Sequence, residues 1–258
     1  MTVAGKIVGS GQMTRSISII VTAMNEEGNL GPTVDSALAA VAPRGWDYEV
    51  IIIDDGSTDR TGAIADEFAV ANPRVRVHHQ PRNMGLARAY LKGIELASRE
   101  LICWVAGNNI IPRDALDAIF DRIGAADMIL SYPDIDPRRK RRRWVSRSFV
   151  IALNLLFNVR LRYYTGPCVY RAHVAKSLRT ITHGSMIVPE LVLRMIKAGE
   201  TFVEVDIRAK PRTSGRTKTF RPSNIMYVAW SVLRLFVDIQ LRGMLAKRDR
   251  VVPVAPER

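Results

Sequence analysis

Two short β-branched runs constrain this chain more than anything else in it. Residues 17–22 read Ile-Ser-Ile-Ile-Val-Thr and residues 48–53 read Tyr-Glu-Val-Ile-Ile-Ile. Each has the length of one strand and is too apolar to lie on a surface. Each also stops abruptly at a polar cluster, Asn25, Glu26 and Glu27 after the first and Asp54, Asp55, Gly56 and Ser57 after the second. Between them Val34, Leu38 and Val41 carry helical spacing.

The same alternation continues downstream. A helix reaching about Val70 follows, with Thr58 or Asp59 as its cap. A strand is expected over 75–79, a helix over 85–97 marked by Leu91, Ile94 and Leu96, and a strand over 101–105. Pro112 is expected at the first position of the next helix, where its missing N–H costs nothing. A fifth strand is expected over 127–131. Strands alternating with helices of this length predict an α/β fold, Rossmann-like, with a mostly parallel central sheet flanked by helices. Ligands of such sheets bind beyond the carboxyl ends of the strands. Three polar clusters fall there, at 25–27, 54–57 and 107–109.

The character changes after residue 131. A basic run at 138–143 leads into Trp144 and an apolar stretch that includes Phe149. A Gly166-Pro167 turn and a strand come next, then a helix over 186–198, a strand over 202–207, a basic loop over 211–221 and an amphipathic segment over 225–241. The expected organisation is a tail at 1–15, a domain at 16–220 with halves 16–131 and 132–220, and a C-terminal amphipathic helix and tail at 221–258. The length of 258 residues suits one large core.

The net charge of +13 attracts polyanions. From 138 to 162 there are nine Lys and Arg and no acidic residue. Basic runs alone do not distinguish nucleic acid from lipid. Adjacency to an amphiphilic segment favours a membrane surface, so no nucleic acid is expected. No stretch supplies the ~20 apolar residues of a spanning helix, and the first residues lack the apolar region of a secretory signal. A peripheral place on the inner, cytoplasmic face of a membrane is therefore expected. Cys103 and Cys168 have no metal-ligand spacing and call for no disulfide, which fits a reducing compartment.

With these residues in view, the chain resembles a family 2 glycosyltransferase of the GT-A fold over about residues 17–241, and within that family the dolichol- or polyprenol-phosphate mannosyltransferase branch. The stretch from Val50 to Thr61, with Asp54-Asp55-Gly56-Ser57 at its centre, is similar to the family's strand-end signature. Ala23-Met-Asn-Glu-Glu27 resembles its Pro-x-x-Asn-Glu opening, with Ala23 in place of Pro. Arg82-Asn83-Met84-Gly85 resembles its Asn-x-Gly turn. The resemblance implies that a nucleotide-sugar, GDP-mannose or a UDP-sugar, is bound by Ala23, Asn25, Glu26, Asp54, Asp55, Asn83, Ala106 and Asn108. A strand-end carboxylate can accept hydrogen bonds from a nucleobase N–H or from ribose hydroxyls. The same residues can equally form a turn and a helix cap, a reading that suits Asp59.

The family's Asp-x-Asp metal motif is altered, with Ala106 at its first position and Asn108 at its second. A hard Mg2+ or Mn2+ prefers charged oxygens, so Asn108 is a weak ligand. Three readings stay open: a weakly held metal, Arg and Lys groups in its place, or a GT-A subunit of little activity. Further on, Tyr164 to Arg171 and Val188-Pro189-Glu190 to Arg194 resemble family segments. Lys210 to Lys218 resembles a family loop that closes over the substrates, which implies phosphate and acceptor contacts for Arg212, Arg216 and Lys218.

The implied reaction is inverting transfer of a sugar from the nucleotide to a polyprenyl-phosphate or other lipid-linked acceptor, with Glu190, Arg212 and Lys218 as catalytic residues. A lipid phosphate is already an anion and needs no base. A glycan or lipopolysaccharide hydroxyl would need one, and Glu190 is the candidate unless it only pairs with Arg194 at i,i+4.

Overall fold

The structure is a computed structural model that describes residues 15–133, 140–211 and 222–242. Its centre is a sheet of seven strands: β1 (Ser16–Ala23), β2 (Asp47–Asp54), β3 (Val75–His79), β4 (Leu101–Ala106), β5 (Met128–Pro133), β6 (Cys168–Arg171) and β7 (Phe202–Ile207). Their order across the sheet is β3-β2-β1-β4-β6-β5-β7. The helices are α1 (Leu30–Val41), α2 (Thr61–Ala71), α3 (Leu86–Leu96), α4 (Arg113–Phe120), α5 (Lys140–Phe157), α6 (Ala172–Ser177), α7 (Ile187–Ala198) and α8 (Pro222–Phe236), the last running into a π-helical turn over Val237–Arg242.

Side chains along β1, β2 and β4 alternate between two separate cores. Ile20, Ile51, Ile53, Ile102 and Trp104 join α3, α5 and α7 on one side. Ile19, Val21, Val50, Ile52, Cys103 and Val105 join α1 and α4 on the other. Burial on both faces is what makes these runs continuously apolar rather than alternating. Cys103 and Cys168 are both buried free thiols.

Most of the sheet is parallel, as the strand-helix alternation requires. β6 is the exception, lying antiparallel to both β4 and β5. The β5–β7 pair is parallel again, so one sheet runs through both halves of the chain. Two expectations shift. Pro112 is the residue before α4, not its first residue, because its backbone is extended at φ −77° and ψ 170°. Asp59 does bond the start of α2, accepting from Thr61 N at 2.9 Å, but from two positions ahead of it.

Ala23 lies opposite Asp54, and Thr22 lies opposite Ala106. The three central strands thus end level, with their polar clusters side by side.

Candidate functional site

A cleft of about 690 Å³ opens at those three strand ends. Its floor is Thr22, Ala23 and Met24 from β1 and the residue after it, with Trp104, Ala106, Gly107 and Asn108 from β4 and the residues after it. Glu26, Asp55, Asn83 and Gly85 supply its polar wall. Of the residues implicated by sequence, Ala23, Glu26, Asp55, Asn83, Ala106 and Asn108 therefore share one cavity, whereas Asn25 and Asp54 do not line it.

The reason lies in how the first two clusters interlock. Asn25 takes a left-handed backbone at φ 54°, and its Oδ1 accepts from Thr58 N at 2.8 Å. Ser57 Oγ accepts from Asn25 N at 3.0 Å and Thr61 Oγ1 accepts from Glu26 N at 2.7 Å. Asp59 Oδ2 accepts from Glu27 N at 3.2 Å, and Glu27 Oε2 in return accepts from Arg60 N at 3.2 Å. These bonds hold Asp59 below the usual carboxylate range against the opposing effect of burial, with the Thr61 hydroxyl and amide contributing most among them. Asp54 faces backward. It accepts from Ser57 N at 3.0 Å and pairs with His79 Nδ1 at 2.9 Å. Asn25, Asp54 and Asp59 are occupied in building the wall.

Asp55 plays a different part. Its two carboxylate oxygens accept from the backbone N–H groups of Met84 and Gly85 at 2.8 and 2.9 Å. Burial pushes its carboxyl above the usual range, these two bonds oppose that, and neighbouring Asp54 adds to the rise. Each oxygen keeps a further lone pair for a ligand in the cleft. Gly56 makes this approach possible, since it has φ 70° and a Cβ there would lie 2.3 Å from the carbonyl carbon of Arg82. Gly107 is similar at the third strand end, where a Cβ would press within 3.0 Å of Ala23 and Thr22. Spacing alone assigned neither glycine a place in the site; each is needed because backbone crosses backbone at a strand end.

Glu26 is held by Asn29, whose buried side-chain amide donates to Oε2 at 2.6 Å. Asn83 Oδ1 accepts from Gly85 N at 3.0 Å, and Asn108 Oδ1 accepts from Ile110 N at 3.3 Å. A divalent cation would meet a poor donor set here. Ala106 brings no oxygen, Asn108 brings one neutral carbonyl, and no group of three or more His, Cys, Asp or Glu suited to a metal occurs among the described residues. The residues do not fit a tightly held resident Mg2+ or Mn2+.

Glu190 lies outside the cleft lining and is fully buried, at 0 % exposed. Its Oε1 accepts from Ile181 N and Arg194 Nε, both at 2.8 Å, and its Oε2 accepts from Thr182 N at 2.8 Å and Thr182 Oγ1 at 2.5 Å. Arg194 continues to Asp238 at 2.6 Å. The carboxylate joins the 181–182 segment, α7 and, through Arg194, the turn after α8, and each of its oxygens accepts two hydrogen bonds within the chain. Arg212, Arg216 and Lys218 lie outside the described residues.

The far wall of the cleft is of another kind. Val145, Ser146 and Phe149 from α5, Met186 before α7, and Val228 from α8 make it largely apolar.

Comparison with known proteins agrees with this geometry. The family described as Glycosyl transferase family 2 matches residues 18–186. The chain is 29% identical over 267 residues to a polyprenol monophosphomannose synthase of Mycolicibacterium smegmatis, covering 96% of each. It is 27% identical to an undecaprenyl-phosphate 4-deoxy-4-formamido-L-arabinose transferase of Shewanella sediminis, over 88% of this chain and 68% of that one. Among solved structures it superposes on glucosyl-3-phosphoglycerate synthase of Mycobacterium tuberculosis, crystallised with Mn2+, UDP and phosphoglyceric acid. The TM-score is 0.66 at 17% identity, over 87% of this chain and 78% of that one. At that identity the likeness speaks for the fold, a GT-A sheet with its flanking helices.

Proposed function

The chain belongs to glycosyl transferase family 2, and from that premise we propose that it moves a sugar, with inversion, from a nucleotide diphosphate to a polyprenyl-phosphate lipid at the inner face of a membrane. The observation that carries this reading is the two-sided cleft. Strand-end groups Glu26, Asp55, Asn83 and Asn108 form one wall, and apolar side chains of α5 and α8 form the other. The first suits a nucleotide with its hydroxyls and N–H groups. The second suits the start of an isoprenoid chain.

In this reading Glu26 and Asp55 accept hydrogen bonds from the nucleoside. Asp55 arrives already aligned by the amides of Met84 and Gly85, so little ordering remains to be done on binding. An oxygen of the acceptor phosphate attacks the anomeric carbon, and a new carbon–oxygen bond forms. The bond to the diphosphate breaks and its electron pair leaves with the nucleotide. The nucleophile is already ionised, so no proton has to be removed. That agrees with a cleft in which Glu190 is turned away and fully hydrogen-bonded. Charge growing on the diphosphate needs cations. Arg212, Arg216 and Lys218 are assigned that task from sequence, with Asn108 adding at most one weak oxygen to any metal that travels with the diphosphate.

The test is transfer of labelled sugar from GDP-mannose and from UDP-sugars, offered polyprenyl phosphate or a saccharide acceptor. Label should enter the lipid phosphate and not the saccharide. Transfer to the saccharide alone would overturn the acceptor assignment.

A further inference from the structure

A second cavity, of about 510 Å³, lies at the carboxyl end of β3, where His78, Gln80 and Pro81 line it. Strand ends of this kind are where parallel sheets receive ligands. The cavity shares its walls with the cleft. In the loop before α3 and along that helix, Asn83, Gly85, Leu86 and Ala89 line the cleft, whereas Met84, Ala87, Arg88 and Leu91 line the second cavity. On the 180–186 segment, Ser185 and Met186 face the first, and Thr180, Thr182 and His183 face the second. One layer of chain therefore serves both spaces.

The lining has a donor without a partner. Gln80 is 7% exposed, and its Nε2, closed off from solvent, has no acceptor among the described residues. A buried amide N–H in that condition destabilises the fold. Rotation about the soft terminal torsion of the side chain presents it to an oxygen in the cavity.

Charge narrows the choice of that oxygen. Arg88 and Lys92 stand four residues apart on α3 and share a face. Glu95, the carboxylate of the lining, takes one bond from Lys92 at 2.7 Å, and the ammonium keeps further donors. His78 and His183 stand beside them. A guanidinium fork next to an ammonium suits the oxygens of a phosphate. Inorganic phosphate alone would leave most of the space unfilled. Pro81, Ala87 and Leu91 offer apolar surface to a small organic body attached to it.

We propose that this second cavity binds a small soluble phosphate ester, with Arg88 and Lys92 on its phosphate and Gln80 on another of its oxygens, and that its occupancy tightens nucleotide binding in the cleft. The route between the two sites is short. Gln80 N donates to the carbonyl of Asp54 at 2.8 Å, and Met84 N donates to the Asp55 carboxylate at 2.8 Å. An occupant resting on Gln80 and Met84 steadies the loop that aligns Asp55, so less ordering remains when the nucleotide arrives. The coupling rests on the nucleotide reading of the cleft, and the site itself does not.

The experiment is calorimetric titration of the full chain with glucose 6-phosphate at fixed ionic strength, alone and with saturating GDP or UDP. The ester should bind more tightly than inorganic phosphate, which lacks the second oxygen for Gln80. It should raise nucleotide affinity about fivefold, and by reciprocity the nucleotide should raise its affinity by the same factor. Arg88→Gln/Lys92→Gln should weaken ester binding roughly tenfold or more, while GDP and UDP bind as before in its absence. Gln80→Leu should also weaken the ester, yet melt at or above the parent, because no hydrogen bond of Nε2 is lost. A merely structural Gln80 would melt lower when replaced. Asp55→Ala should still bind the ester. Ester affinity unchanged in the Arg88→Gln/Lys92→Gln variant would overturn the proposal, and so would an ester that displaces the nucleotide, which would seat it in the cleft instead. A parent that binds GDP or UDP but no ester would overturn it too and leave the glycosyltransferase reading intact. An ester that binds without moving nucleotide affinity would overturn the coupling. A parent that binds the ester but neither nucleotide would uphold the site and sink the nucleotide reading.

Discussion

The two walls of the cleft are built on opposite principles. On the strand-end side nearly every polar group already has a partner within the chain, and the 23–27 and 54–61 segments are laced together by backbone-to-side-chain bonds. On the helix side, α5 and α8 leave Trp144, Leu155, Trp230 and Leu233 without apolar cover. The first arrangement keeps a fixed shape for a small polar ligand and lowers the ordering cost of binding. The second leaves large apolar side chains of the same two helices turned outward. Substitutions on one side should therefore act on nucleotide affinity, and substitutions on the other should act on access to lipid.

The largest effect that would break or sharpen this contrast is expected on the rigid wall. Asp55→Ala removes the acceptor of two backbone amides as well as a ligand contact, and nucleotide affinity should fall on the order of 100-fold. Calorimetric titration with GDP and UDP reads this directly. Glu190→Ala comes next. It removes the acceptor of Arg194 Nε and of the amides of Ile181 and Thr182 while leaving Arg194 its pair with Asp238, for a loss of about 3 kcal/mol in chemical denaturation. Glu190→Gln keeps some of these bonds and should lose less. If either variant instead folded like the parent and only changed the pH profile of transfer, Glu190 would be a base after all.

A smaller change is expected at the third strand end. Asn108→Asp restores a charged oxygen, so Mn2+ should stimulate transfer by a larger factor, about tenfold above its effect on the parent. No change would place residue 108 away from the diphosphate.

The smallest effect concerns pH. His79 bridges Asp54 at 2.9 Å and Asp66 at 3.0 Å. The hydrogen bond to Asp54, then that to Asp66, raises its imidazole above the usual value, against burial. A raised folded pKa means the contribution is fully present below about pH 6.5, the unfolded value, and is lost as pH rises through the higher folded value. Its ring is 43% exposed, so screening leaves roughly 0.5 kcal/mol. The parent should melt above His79→Gln at pH 6, with the gap closing toward pH 9.

Much of the strand-end wall was legible in the sequence, because a buried parallel strand must be apolar throughout and must stop where polar groups begin. β1, β2, β3 and β4 fall within a residue or so of the runs that announce them. The antiparallel course of β6 was not legible, since a four-residue apolar strand carries no mark of its direction. Nor could spacing separate Asp55 from Asp54. Neighbours in a strand point to opposite sides, and only the fold reveals that Asp54 faces His79 while Asp55 faces the cleft. From sequence Glu190 is either a base or the i,i+4 partner of Arg194, and spacing could not foretell the Thr182 hydroxyl and the 181–182 amides that close around it. The outward stripe of α8 was visible only as amphipathicity, and its pairing with α5 needed the packing of Phe157 on Phe236.

One measurement bears most directly on the whole account: a crystal structure of the chain with a nucleoside diphosphate bound. The nucleoside should rest against the ends of β1 and β2, with hydrogen bonds to both Glu26 and Asp55. A nucleotide seated anywhere else, with those two carboxylates untouched, would contradict it.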